Sequence, residues 1–251
     1  VGLLDGLAGL VGIRITKHLR VHVIPLCEGV IPLAYEAHLA PVMRETERIF
    51  YARAKIRVHT TFHDPIRNPP ENALRLGTEV DLIVDELWLK GTWHQMQTVK
   101  LFESNLASLL GIGHPVLVYV IREVGYDGPG TVVGASGGPF TDWVAVERDY
   151  VVQQVVANAS GAPAIPLSPF PPTVASPAAT TGVANPDCAI SRTKPCYSKY
   201  VIAHEICHSL GLLGHANSGS GDLMSASTIT GDALSPFQVG VIRSSGHVTF
   251  L

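Results

Sequence analysis

No apolar run in this chain approaches the roughly 20 residues that a membrane-spanning helix needs, so no membrane span is expected. Charge is sparse: 16 % of the 251 residues are charged, the net charge is −3, and like charges never form a run. Without a basic patch or tail, nothing points to a nucleic-acid partner. Cysteine is scarce too. The four cysteines form no CxxC pair, which excludes the usual thiolate-built zinc site. Internal repeats are also absent.

The cysteines that are present still carry information. Cys188 and Cys196 sit eight apart in a stretch rich in Pro and Ser, and read as a local disulfide. That implies an oxidising compartment, hence a secreted, extracellular protein. Cys27 and Cys207 are either a second bridge or two buried thiols, and the spacing leaves the connectivity open. The opening VGLLDGLAGLVGIR is apolar but broken by Asp5 and four glycines, and it lacks a basic leader. It is a poor signal peptide and reads as a strand packed on the core or the remnant of a removed pro-segment, the core reading being preferred.

The hydrophobic pattern organises the chain as α/β. LRVHVIPL (19–26) alternates and is β-branched, LAYEAHLAPVMRETERIFYARA (33–54) has apolar residues at helical spacing, and KIRVHTTF (55–62) is a second strand. These form a strand, a crossover helix and a parallel strand. Pro41 lies near the start of the helix or kinks it. HPVLVYVIREV (114–124) is nearly continuous in Val, Leu and Ile, as a doubly covered central strand should be. GTVVGAS (130–136) is a short strand closed by Gly137, Gly138 and Pro139, a terminator set expected at a sheet edge. DWVAVER (142–148) is another strand. Residues 78–111 are ambiguous, and 157–197 read as a long irregular insertion.

SKYVIAHEICHSLGLLG (198–214) is a helix with Ser198 as N-cap and Gly211 as terminator. LSPFQVGVIRSSG (234–246) is a Ser-capped closing helix with Pro236 at its first position.

The chemistry concentrates in HEICHSLGLLGH (204–215). His204 and His208 are four apart, so one helix face presents both imidazoles. That supplies two nitrogen ligands for a tetrahedral zinc ion without distorting the backbone. Glu205 can reach a metal-bound water and is a candidate general base. A catalytic zinc needs a third protein ligand and an open fourth position. His215 could not serve if the helix continued, because eleven residues of helix span about 16 Å. A break at Gly211 lets the chain turn back and bring His215 to the same ion. The step from Gly211 to His215 is four residues, and Gly214 is expected to absorb the last of them as a small bulge.

This stretch resembles the metzincin zinc-peptidase signature HExxHxxGxxH, with one residue more before the third histidine, as in a matrixin-like bacterial HExxHxxGxxGH variant. SGSGDLMSAS (218–227) is similar to the methionine turn of that family, and the closing helix resembles the one that ends its matrixin-like members. The resemblance implies a metzincin-like zincin. Its sheet would be twisted, mixed and five-stranded, with a backing helix and an active-site helix, followed by a small irregular C-terminal lobe ending in a helix. The whole chain, 1–251, would be a single catalytic domain, with an upper lobe at 1–211 and a lower lobe at 212–251. The resemblance also implies one catalytic Zn2+ on His204, His208 and His215, with Met224 as a hydrophobic floor. Gly134, Ala135, Ser136, Ser225, Ala226 and Ser227 would line the substrate cleft. The implied activity is zinc-dependent endopeptidase action on extended protein or peptide substrates, through a zinc-bound water with Glu205 as base, by a monomer.

Two other readings compete: a zinc-containing binding protein without proteolysis, and a metal-dependent amide hydrolase acting on a non-peptide substrate. Asp222 could orient a ligand histidine or simply be a solvated loop residue. The remaining eight of the 11 histidines are His18, His22, His38, His59, His63, His94, His114 and His247. They are read as having no shared spacing, and His63 and His94 could at most form a second metal site.

Overall fold

The structure is a computed structural model that describes residues 15–76, 92–103, 113–124, 134–136, 142–151, 199–216, 221–225 and 231–250. The opening segment, the 157–197 insertion, the Cys188–Cys196 pair, Ala226 and Ser227 lie outside the described residues.

The described architecture is mixed α/β. β1 (Lys17–Pro25) is followed by the short pair β2 (Cys27–Glu28) and β3 (Ile31–Pro32), then helix α1 (Glu36–Ala54) and β4 (Ile56–Phe62). A single-turn α2 (Glu71–Leu74) leads to β5 (Arg75–Leu76), and α3 (Thr92–Glu103) precedes β6 (Val116–Ile121) and β7 (Glu123–Val124). β8 (Gly134–Ser136), β9 (Trp143–Glu147) and the short α4 (Arg148–Val151) come next. Helix α5 (Val201–Ser209), helix α6 (Pro236–Ser244) and β10 (Val248–Thr249) close the described chain.

The main sheet runs β4–β1–β6–β9–β8. β4, β1, β6 and β9 are mutually parallel, and β8 is antiparallel to β9 at the edge. β10 adds a sixth short strand. It pairs antiparallel with His18 and Leu19, on the edge of β1 that β6 leaves open, because β4 occupies the other edge along its whole length. The chain therefore does not stop at the closing helix but returns to the sheet.

Side-chain alternation explains the layers. On β6, Val116, Val118 and Val120 enter the core under α1, α5 and α6, while Leu117, Tyr119 and Ile121 enter a second core that includes Trp143. Both faces of β6 are covered, which is why its sequence is a continuous apolar run. β4 is covered on one face only: Ile56 and Val58 are buried, Arg57 and His59 are exposed. α1 buries Leu39, Val42, Met43, Thr46, Ile49 and Phe50 on one stripe, and Pro41 sits inside it, six residues from its start. Cys27 and Cys207 are both buried free thiols, so of the two readings left open for them the bridge is the one that falls.

Candidate metal centre

Helix α5 is anchored by Val201, Ile202, Ala203, Ile206 and Cys207, all fully buried. It begins two residues later than the sequence suggests, with Tyr200 as its N-cap in place of Ser198, which lies outside the described residues. Its end matches the expectation in detail. Gly211 has φ of 109°, a conformation that L side chains rarely adopt. The Gly211 N–H donates to the His208 carbonyl and the Leu212 N–H to the Cys207 carbonyl, the paired bonds of a Schellman terminus. Gly214 is different. It is not among the described positive-φ glycines, and a Cβ there would meet open space. The extra residue before His215 is therefore accommodated without positive-φ geometry at Gly214, where the backbone bends.

The reversal brings His215 back to the helix. The ligand atoms of His204, His208 and His215 all lie within 4.8 Å of one another, the one group of three or more such residues among those described. Ring centroids are 4.8 Å apart for His204 and His208, 4.9 Å for His208 and His215, and 5.3 Å for His204 and His215. Three imidazoles on a tetrahedral ion at about 2.0–2.1 Å would have neighbouring nitrogens about 3.3 Å apart and ring centres about 5.2 Å apart. The observed spacings fit that pattern.

Hydrogen bonds fix the tautomers. His204 Nδ1 lies 2.7 Å from the Leu223 carbonyl, and His208 Nδ1 is similarly bonded to the Leu212 carbonyl. A carbonyl only accepts, so both Nδ1 atoms carry the proton and both Nε2 atoms present lone pairs. Those two Nε2 atoms are 3.1 Å apart. Two lone pairs facing each other at that distance repel unless a cation stands between them, so the donor set suits a metal. Burial lowers the pKa of all three histidines. For His204 it falls to about 3, first through burial and then through the neighbouring His208. All three are neutral near pH 7, as ligation requires.

The segment around Met224 supports this arrangement through its backbone. Leu223 accepts from His204, and the Ala216 N–H, next to His215, donates to the Met224 carbonyl at 2.7 Å. The Met224 side chain is fully buried. Asp222 orients no ligand histidine. Its Oδ1 accepts from the Met224 N–H at 2.7 Å and from Gln238 Nε2 at 3.2 Å, tying the turn to α6. Gln238 in turn completes a reciprocal capping box with Ser235, the N-cap of α6.

Glu205 points from the same helix into an almost dry site: it is 4 % exposed, and burial raises its carboxyl pKa to about 8. Gly134 of the edge strand lies directly against it. Ser136 is 3.0 Å from Ser209 through its hydroxyl, so this residue, expected to line a cleft, turns toward α5. Ser225 is 2 % exposed and its hydroxyl has no partner among the described residues.

The other histidines do share a spacing. His18 and His59 pair at 2.7 Å across β1 and β4, and His22 of β1 pairs at 2.8 Å with His63 just beyond β4, both pairs 41 residues apart. The signal in the sequence was two histidines four apart on the first strand and again at the end of the second. His94 sits elsewhere, fully buried against Trp143 and Tyr119, so it forms no site with His63.

No family model matches this sequence, and no curated protein does. Solved structures resemble the chain over most of its length. Mirolysin in complex with compound 9 aligns at a TM-score of 0.48 and 12 % identity, over 92 % of each chain. Mature mirolysin of Tannerella forsythia with a cleaved peptide gives 0.47 and 12 %, again over 92 % of each. Metalloproteinase-II from Bacteroides fragilis gives 0.46 and 13 %, covering 91 % of this chain, which spans about half (54 %) of that one.

Proposed function

We propose that the chain is a zinc-dependent endopeptidase of metzincin type, close in pattern to the matrixin-like bacterial variant. The observation that carries this reading is the convergence of three neutral imidazoles, with the buried Glu205 next in sequence to the first of them. The ordered signature 204–215 and the turn at Met224 support it.

A zinc ion held by His204, His208 and His215 would supply Lewis acidity toward water and toward a carbonyl oxygen. The remaining steps belong to the chain. Glu205 takes the proton from the attacking water and delivers it to the leaving amine, as general base and then general acid. Burial keeps bulk water from competing for that proton. The edge strand β8 offers backbone N–H and C=O groups to an extended peptide, and Ser225, Ala226 and Ser227 would wall the far side of the cleft. The same reading makes residues 1–251 one monomeric catalytic domain with lobes at 1–211 and 212–251. It also makes the protein secreted, with Cys188 and Cys196 joined; peptide mapping without reductant checks that bond.

The test is Glu205→Ala. The variant should bind zinc to the same stoichiometry by metal analysis, yet lose roughly 10²–10⁴-fold in cleavage of casein or a peptide library. The parent should lose cleavage with a chelator and regain it with zinc. A variant that cleaves as well as the parent removes Glu205 from the mechanism.

A further inference from the structure

An edge strand and a helix that lie side by side must match two different periods. On β8, Gly134 and Ser136 face the same way, as residues two apart in a strand do. On α5, Glu205 and Ser209 are four apart and also share a face. The two repeats have similar lengths, about 6–7 Å. The structure shows them in register: Gly134 against Glu205, and Ser136 Oγ at 3.0 Å from Ser209 Oγ. Ser209 also reaches back toward the sheet, its Oγ 3.5 Å from the Trp143 carbonyl of β9.

The contact at Gly134 leaves no space for a side chain. A Cβ built there would lie 2.4 Å from Glu205 Cγ and 2.5 Å from both Cδ and Oε1. Those distances are far inside van der Waals contact, so either the carboxylate or the strand would have to move. We infer that Gly134 is a positioning residue, whose missing side chain forms the slot that sets where the Glu205 carboxyl stands against the edge strand. This rests on the endopeptidase reading for its catalytic consequence, though the contact itself does not depend on that reading. The strand that would bind substrate and the base that would act on it are then held at a fixed separation. The Ser136–Ser209 hydrogen bond keeps the register two residues further on.

The experiment is a double-mutant cycle of Gly134→Ala and Glu205→Ala, read first as thermal unfolding of the metal-free protein. Glu205→Ala removes all three atoms that the new Cβ would meet. Gly134→Ala should lower Tm by several degrees in the parent, and by less than half as much in the Glu205→Ala background. If Gly134→Ala alone fails to fold while the double variant folds, the contact is equally supported. An equal loss of Tm in both backgrounds, or a double variant that also fails to fold, overturns it.

The second readout is peptide cleavage by the zinc-loaded protein. A carboxylate displaced by about 1 Å should cost roughly 10²-fold in kcat, while KM changes little because no substrate contact has been removed. Unchanged kcat, or a loss carried by KM, overturns the positioning role. If the parent itself cleaves no peptide, the endopeptidase reading fails while the unfolding cycle still decides the contact.

Discussion

A carboxylate stripped of water resists ionisation, and Glu205 pays that cost in the folded state. Burial lifts its pKa from the ordinary 4.5 to about 8. Between those values the folded chain keeps a proton that the unfolded chain gives up. The stabilisation is therefore fully present below pH 4.5 and is lost as pH rises through about 8. Metal-free Glu205→Gln, which cannot ionise, should gain on the parent steadily across that window, by on the order of a few kcal/mol in total. Urea denaturation of both proteins from about pH 5 to about pH 9 measures the gap; a gap that stays flat with pH would remove the burial argument. At this scale the convergence of His204, His208 and His215 was legible in the sequence, because helical spacing dictates which side chains share a face and Gly211 marks the reversal. Gly134 was legible only as a residue near a cleft. Its contact with Glu205 spans about seventy positions, and no local pattern encodes it.

Elements with strong periodicity were legible for the same reason that they are stable. β6 needs apolar residues on both faces, and α1 needs one apolar stripe, so each writes a recognisable pattern. The two-residue strands β2, β3, β5, β7 and β10 have no period to read, and their pairing is decided by tertiary context. The links between elements are similarly hidden. Asp232, just ahead of α6, receives Arg48 at 2.5 Å and Arg53 at 2.6 Å from α1. Burial alone would raise the Asp232 pKa, but the guanidinium hydrogen bonds outweigh it and hold the carboxyl below its ordinary 3.8. The stabilisation from this link is present above pH 3.8 and is lost as pH falls through the lower folded value. The arginines are about half exposed, so solvent screening limits the effect. Asp232→Asn should cost about 1 kcal/mol at neutral pH, less at high salt, and nothing once the parent carboxyl is protonated. Chemical denaturation at neutral and strongly acid pH compares the two; an equal cost at both would assign the loss to packing rather than charge.

Across the whole molecule, a chain of hydrogen bonds links the site to the closing helix and to the sheet. From His204 it runs to the Leu223 carbonyl, through Asp222 to Gln238, and along α6. Arg243, buried on α6, donates to the carbonyls of Ala54 at the end of α1 and Ile15 just before β1. β10 then returns to β1. A cation shared by His204, His208 and His215 would join α5 to the reversal beyond Gly211. Because the unfolded chain cannot assemble the three ligands, metal affinity becomes folding stability. With free zinc at about 100 times its Kd, the gain is about 2.7 kcal/mol. For a chain of this size that corresponds to a rise in Tm of roughly 5–10 °C. His215→Ala leaves only the two helical nitrogens and should lose most of that rise, while its metal-free Tm changes little because His215 lies at the exposed end of the site. Differential scanning calorimetry of parent and variant, each with zinc and with chelator, measures both quantities. Should the parent melt at one temperature under both conditions, the three nitrogens do not share an ion in solution. Should His215→Ala keep the full zinc-dependent rise, the reversal at Gly211 has no part in holding it.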